Sequence, residues 1–266
     1  MKIMRRIAAQ SSPQVARELG ELGIQVSPDG HFGFWFDESD SRWPAVVDWL
    51  ASHGRSFEDL ISTTRFTNGE LKAAEWHEFS TDWHWSYPQP NDDVFGYRKV
   101  TYDDSEFCPH CGIGLRQVAP FRMRGEPRWG RRSVLQLNWV FDELFVTPEL
   151  WDSVFKPLGV PAREVHNSRG EALTTVVQLV VDDLVDLEMG AYPPRRCGVC
   201  GIEKFDPVSR GFFPAPRTKP TAAMCRSNQW FGSGARAFRA IMASREVYAQ
   251  LQEAMAKGAV FVPVRG

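Results

Sequence analysis

Apolar residues recur at helical spacing in three stretches of this chain, each enclosed by the same kinds of punctuation. Behind Ser11-Ser12-Pro13 come Val15, Leu19 and Leu22, then Gly23 and a β-branched run from Ile24. Thr147-Pro148 precedes Leu150, Trp151, Val154 and Phe155, closed by Gly159-Val160. Ser244 precedes Val247, Leu251 and Met255, closed by Gly258 and the strand-like AVFVPV. A hydroxyl at the start can accept an orphan amide hydrogen of the first helical turn, and proline suits the first helical position. A glycine at the end takes the left-handed conformation of a helix C-cap. Strand-like residues precede the second and third caps, at Phe145-Val146 and at Ala240 to Ala243. The recurrence reads first as ordinary punctuation of strand–helix–strand connections, and second as an internal repeat.

Other elements follow from the same patterns. Thr67-Asn68-Gly69-Glu70 forms a capping box that opens a short helix before Trp76. Residues 43–53 read as a helix begun near Ser41. Strands are expected at 31–36, 98–102, 133–140, 163–165 and 172–181, with a hairpin turn at Asn167-Ser168-Arg169-Gly170. Trp83-His84-Trp85-Ser86-Tyr87 reads as half-buried strand, or as a recognition surface. Four prolines between Asp206 and Thr221 mark a surface loop. Interleaving without strict alternation predicts an α+β fold with a mixed or antiparallel sheet. Residues 1–75 are expected to form an N-terminal α/β module, and residues 76–266 a metal-bearing α+β domain.

Composition narrows the function class. The 266 residues carry 31 basic and 33 acidic side chains, and 43% are hydrophobic, so a core is possible and a disordered polymer is excluded. A net charge of −2 is not that of a globally basic nucleic-acid coat, so any anion site must be local. The start, MKIMRRIAAQSSPQ, has no apolar core of a signal peptide. The most apolar stretch, Val176 to Val181, is interrupted by Gln178 and is far short of a membrane span. A cytoplasmic protein without membrane contact is expected.

Cysteine placement carries the chemistry. Of five cysteines, four form Cys108-Pro109-His110-Cys111-Gly112 and Cys197-Gly198-Val199-Cys200-Gly201. Two thiolates separated by two residues can grip one metal ion from a tight turn, and the following glycine relieves that turn. Cys108, Cys111, Cys197 and Cys200 together predict one structural Zn2+ in a closed tetrahedral site. The 85 residues between Cys111 and Cys197 make this a discontinuous, zinc-ribbon-like arrangement with an inserted subdomain. One structural and one free pair, or a redox pair, are the alternatives; the latter needs a βαβ context. His110 is expected to face solvent, and Cys225 to be an ordinary free thiol.

From Arg116 to Arg132 six arginines (116, 122, 124, 128, 131 and 132) face one acid, Glu126. Arg122, Arg124, Arg128, Trp129, Arg131 and Arg132 are the candidate partner-binding residues. They could hold phosphates with the indole as a stacking platform, meet an acidic protein surface, or form a solvated loop edge. The run from Asp182 to Glu188 is an acidic counterpart, either an exposed face or a site for a basic partner. Phosphate-loop, dinucleotide, metalloprotease and nucleophile-elbow motifs are absent, and His31, His53, His77, His84 and His166 are scattered, so no active site is expected.

The paired Cys-x-x-Cys-Gly knuckles resemble those of the bacterial double-CxxCG motif proteins. The ending is similar too: Phe231-Gly232, an apolar strand through Ile241, Ser244 opening the last helix, then Lys257-Gly258-Ala259-Val260-Phe261-Val262-Pro263-Val264. The resemblance covers roughly residues 100 to 264, leaving about 105 residues ahead of the first knuckle unmatched. It implies a non-enzymatic immunity protein that neutralises a cognate toxin by direct binding, with zinc held by the knuckles. The competing expectation is a nucleic-acid-binding zinc protein using the Arg116–Arg132 strip.

Overall fold

The computed structural model describes residues 1–265 and divides the chain into two compact units. Met1–Glu70 together with Val208–Gly211 form the first, and Leu71–Pro207 with Phe212 onward form the second.

In the first unit, strand β1 (Lys2–Gln10) lies between β2 (His31–Asp37) and β3 (Ser62–Arg65), antiparallel to both. Helix α1 (Pro13–Glu21) starts as its hydroxyl punctuation predicts: Ser12 Oγ accepts the Val15 amide at 3.2 Å. Helix α2 (Trp43–Ser52) begins at Arg42, which contributes no side-chain cap, rather than at Ser41. Ile7, Leu19, Phe36, Val46 and Leu50 form the core between sheet and helices. Arg5 is buried in that sheet, paired with Glu38 and donating to the Leu60 carbonyl. Its presence at a covered position breaks the apolar alternation, which is why the sequence pattern did not reveal β1. The later segment adds Arg210, paired with Glu38 at 2.8 Å, and Gly211, whose amide donates to Thr64 Oγ1.

The second unit begins with helix α3 (Asn68–Ala73), which enters it across the boundary, and β4 (Trp76–Thr81). The capping box forms as expected: Glu70 accepts the Thr67 amide at 2.8 Å while Thr67 Oγ1 accepts the Glu70 amide. Next come α4 (Tyr97–Thr101), β5 (Tyr102–Asp103), β6 (Arg116–Gln117), β7 (Arg122–Met123), β8 (Val134–Leu135) and β9 (Phe145–Val146). Helix α5 (Pro148–Leu150) continues into a wider π-turn over Trp151–Phe155. After it come β10 (Ala162–Asn167), β11 (Ala172–Leu179), β12 (Leu184–Val185), β13 (Arg195–Arg196) and β14 (Glu203–Lys204). The chain closes with β15 (Met224–Phe231), β16 (Phe238–Ser244), α6 (Arg245–Glu253) and β17 (Ala259–Pro263).

Two five-stranded sheets result, ordered β7-β10-β11-β9-β8 and β12-β15-β16-β4-β17. Most pairs are antiparallel, but β7 with β10 and β12 with β15 are parallel, so the fold is α+β with mixed sheets. The three punctuated units differ in topology. In the first, β1 and β2 are direct neighbours. In the other two the helix connects strands that flank a third: β9 and β10 flank β11, and β16 and β17 flank β4. These are split strand–helix–strand units. Their helices share one core, in which Phe79, Val154, Phe155, Val247 and Leu251 are buried together.

Three sequence expectations need correction. Of residues 98–102 only Tyr102 joins a strand: Tyr97 and Thr101 are both buried four residues apart, the spacing of one helical face, and α4 forms there. Within 133–140 only Val134–Leu135 joins a sheet. Gln136 makes an isolated bridge to His84, and Trp139 takes φ +68°, which ends the extended run. That same bridge is all the β-pairing within 83–87. The hairpin at 167–170, the capped helices and the irregular 206–221 loop form as expected.

Candidate metal centre

Each Cys-x-x-Cys pair sits in the loop of a short antiparallel hairpin. Cys108 and Cys111 lie between β5 and β6, and Cys197 and Cys200 between β13 and β14. The two loops repeat the same backbone hydrogen bonds. The Cys108 amide donates to the Ile113 carbonyl at 2.8 Å, and the Gly112 amide to the Cys108 carbonyl at 2.8 Å. The Cys197 amide likewise donates to Ile202 at 2.9 Å, and the Gly201 amide to Cys197 at 3.0 Å. Both glycines have positive φ, +83° and +74°, which a side chain would resist. Gly112 is constrained a second way: a Cβ there would lie 2.2 Å from the Ala235 carbonyl oxygen.

Residues 89 positions apart in sequence thereby meet. The four Sγ atoms lie within 4.8 Å of one another, with Cys108 to Cys197 at 3.9 Å and Cys111 to Cys200 at 3.6 Å. These separations exceed a disulfide bond by far, and all four cysteines are free. A tetrahedral ion with metal–sulfur bonds of about 2.3 Å has sulfur–sulfur edges of about 3.8 Å, so the donor set fits a metal ion. Cys108, Cys111 and Cys197 are buried against Ile113 and Trp230, while Cys200 is exposed.

The surroundings favour negative charge at one corner and resist it at another. Amides of Cys200 and Val199 aimed at Cys197 Sγ pull that thiol down to about 5. Burial, with the other thiols adding to it, pushes Cys111 up to about 12. His110 is exposed as expected, yet its Nδ1 lies 3.4 Å from Cys197 Sγ, a contact that spacing did not reveal. Lys204 was likewise not anticipated. It is 6% exposed, and its ammonium donates to the carbonyls of Cys111 (2.8 Å), Gly234 (2.7 Å) and Arg236 (2.9 Å). No carboxylate among the described residues pairs with it. A buried cation is costly unless a negative charge lies near, and a tetrathiolate centre supplies one. Cys225 is remote from this group, on β15, and burial pushes its thiol up to about 12.

The arginine strip is spread along a loop. Arg122 lies on β7, and Arg124, Arg128, Arg131 and Arg132 are exposed, while Arg116 is paired with Asp103 at 2.6 Å. Trp129 is engaged: Nε1 donates to the Thr175 carbonyl at 2.9 Å, and the ring packs edge-on against Trp83. Arg132 stacks over the same Trp83. Glu126, itself exposed, accepts the Thr174 and Thr175 amides. In the acidic run, Asp186 accepts from Asn228 and Gln229, and Leu184–Val185 pairs with β15.

Compared with known proteins, the chain matches no family model and no curated relative. Among the described residues no helix is long and apolar enough to cross a membrane.

Proposed function

We propose that this chain is a non-enzymatic binding protein stapled by one structural Zn2+, and that its partner is a cognate toxin which it neutralises by direct contact. The observation carrying the metal role is the convergence of four sulfurs at tetrahedral spacing. Four thiolates fill the four positions zinc prefers, leaving none for a reacting water, so the ion's work is to hold two hairpins together. Zinc suits an all-thiolate tetrahedron better than calcium or magnesium, which take oxygen ligands. Bound zinc would contribute on the order of 10 kcal/mol to folding, as in zinc-finger peptides. The toxin-neutralising part rests on the resemblance of the knuckles and the ending to the double-CxxCG proteins.

The test is affinity purification of the tagged full chain from its native host, with nuclease treatment and elemental analysis of the eluate. One zinc per chain and a stoichiometric protein companion that survives nuclease support the proposal. Zinc-free folded protein would sink the metal reading, and nucleic acid as the sole companion would sink the toxin reading. Nucleic-acid binding is the second reading, favoured by the exposed Arg124, Arg128 and Arg131, which pair with no carboxylate among the described residues. With Trp129 already engaged, it would rest on phosphate contacts and weaken steeply with salt.

A further inference from the structure

A cavity of about 520 Å³ opens in the second unit, on the side of the first knuckle where Gly112 and Gly114 lie. That volume falls within the range of small-molecule sites. Its lining balances four acids, Asp142 and Glu143 among them, against four arginines, Arg226 among them. Glu143, whose side chain is only 7% exposed, accepts Arg226 Nη2 and Gln178 Nε2 on Oε2, both at 2.8 Å, while no protein group bonds to its Oε1. Asp142 accepts the Arg239 amide on Oδ2 at 3.4 Å, and Arg226 Nη1 stands 3.7 Å away. Arg226 is committed further, through Nε, to the Val181 carbonyl. Arg239 is held by the Ser227 carbonyl and Asn228 and stacks on Trp230. Two carboxylates therefore share one guanidinium, which hydrogen-bonds only one of them, and keep acceptor capacity toward the cavity.

Aromatic rings line the cavity too: Tyr97, Tyr102 and Trp139, and none of the described residues hydrogen-bonds the Tyr102 hydroxyl. Trp139 holds its left-handed backbone with its ring packed among Tyr87 (4.4 Å), Phe95 (4.8 Å) and Tyr97 (6.0 Å). Non-glycine residues in this region are costly and cluster at ligand sites. Spare carboxylate oxygens and aromatic rings lining one cavity are the elements that recognise an organic cation, by charge-assisted hydrogen bonds and cation–π attraction. We propose that this cavity is a binding site for a small organic cation carrying a guanidinium or primary ammonium group. Arg163, also in the lining and paired with no carboxylate among the described residues, would receive an acidic group on the same molecule.

Calorimetric titration of the full chain with arginine, agmatine and phenethylamine, and with glutarate as the anionic control, tests this. At least one cation is expected to bind and to raise the melting temperature, with glutarate silent. Asp142→Asn should weaken that binding tenfold or more while melting no lower than the parent. Trp139→Gly keeps the backbone conformation available and serves as the second variant; it should also lose affinity. Failure of all three cations at millimolar concentration, glutarate binding in their place, or undiminished affinity in both variants would each overturn the assignment.

Discussion

Replacing each knuckle glycine by alanine separates two effects that the structure combines differently. Gly112 and Gly201 occupy the same place in their loops, with φ of +83° and +74°. Alanine in the left-handed region costs roughly 1–2 kcal/mol, and both variants bear that. Beyond Gly201 there is room, since the nearest atom to an added Cβ is an Arg196 guanidinium nitrogen at 3.8 Å. At Gly112 the Cβ would fall 2.2 Å from the Ala235 carbonyl oxygen, and that backbone must retreat by about 0.8 Å to reach the shortest tolerable contact. Forcing extra volume into packed structure adds about 1–3 kcal/mol. The displaced loop also supplies the Gly234 and Arg236 carbonyls that hold Lys204. Gly201→Ala is therefore expected to lose about 1–2 kcal/mol and Gly112→Ala about 2–5 kcal/mol. At about 2–4 °C per kcal/mol for a unit of this size, the melting temperatures fall by about 2–8 °C and about 4–20 °C. Calorimetric melting read beside zinc stoichiometry is the assay, and only Gly112→Ala should also shed metal. Equal melting of the two variants, or full zinc retention in a stable Gly112→Ala protein, would refute the reasoning.

Three further outcomes are expected. Phe79→Ala empties a buried position stacked 4.9 Å from Phe261 and should cost about 3–5 kcal/mol in chemical denaturation; under 1 kcal/mol would mean the shared core is not as described. Ser244→Ala removes the oxygen that caps Val247 and should cost about 1 kcal/mol, measured the same way, with no change if solvent replaces the cap. Asp142, raised by burial from 3.8 to about 6 with Arg226 opposing, holds its proton more tightly folded than unfolded. The parent should thus lose stability relative to Asp142→Asn as pH rises from about 4 to 6; parallel urea-midpoint profiles would contradict that raised value.

What could be read in advance was whatever local chemistry determines. Ser12, Thr147 and Ser244 each cap the helix that they precede, because a cap needs only the next three residues. The cysteine pairs were legible for the same reason, since each knuckle closes within six residues. Burial by distant partners was not. Arg5 fits inside a sheet because Glu38 and the Leu60 carbonyl receive it, and neither is near it in sequence. Tyr97 and Thr101 carry a helical face in a segment too short to display a period. Lys204 offered no signal at all, because the carbonyls it holds come from residues 111, 234 and 236. The carboxylates at 142–143 meet Arg226 only once β15 is in place.

The distance between the knuckles has a consequence for the protein as it is made. At about 5–20 residues per second of synthesis, the 85 residues separating Cys111 from Cys197 take roughly 4–17 s to appear. Throughout that interval the first pair of thiols has half a coordination sphere and no partner. An ion captured then would be held by two sulfurs only and would exchange readily. Only when β13 and β14 leave the ribosome can the grip become fourfold, so full loading of a metal there would report that translation has passed the second hairpin.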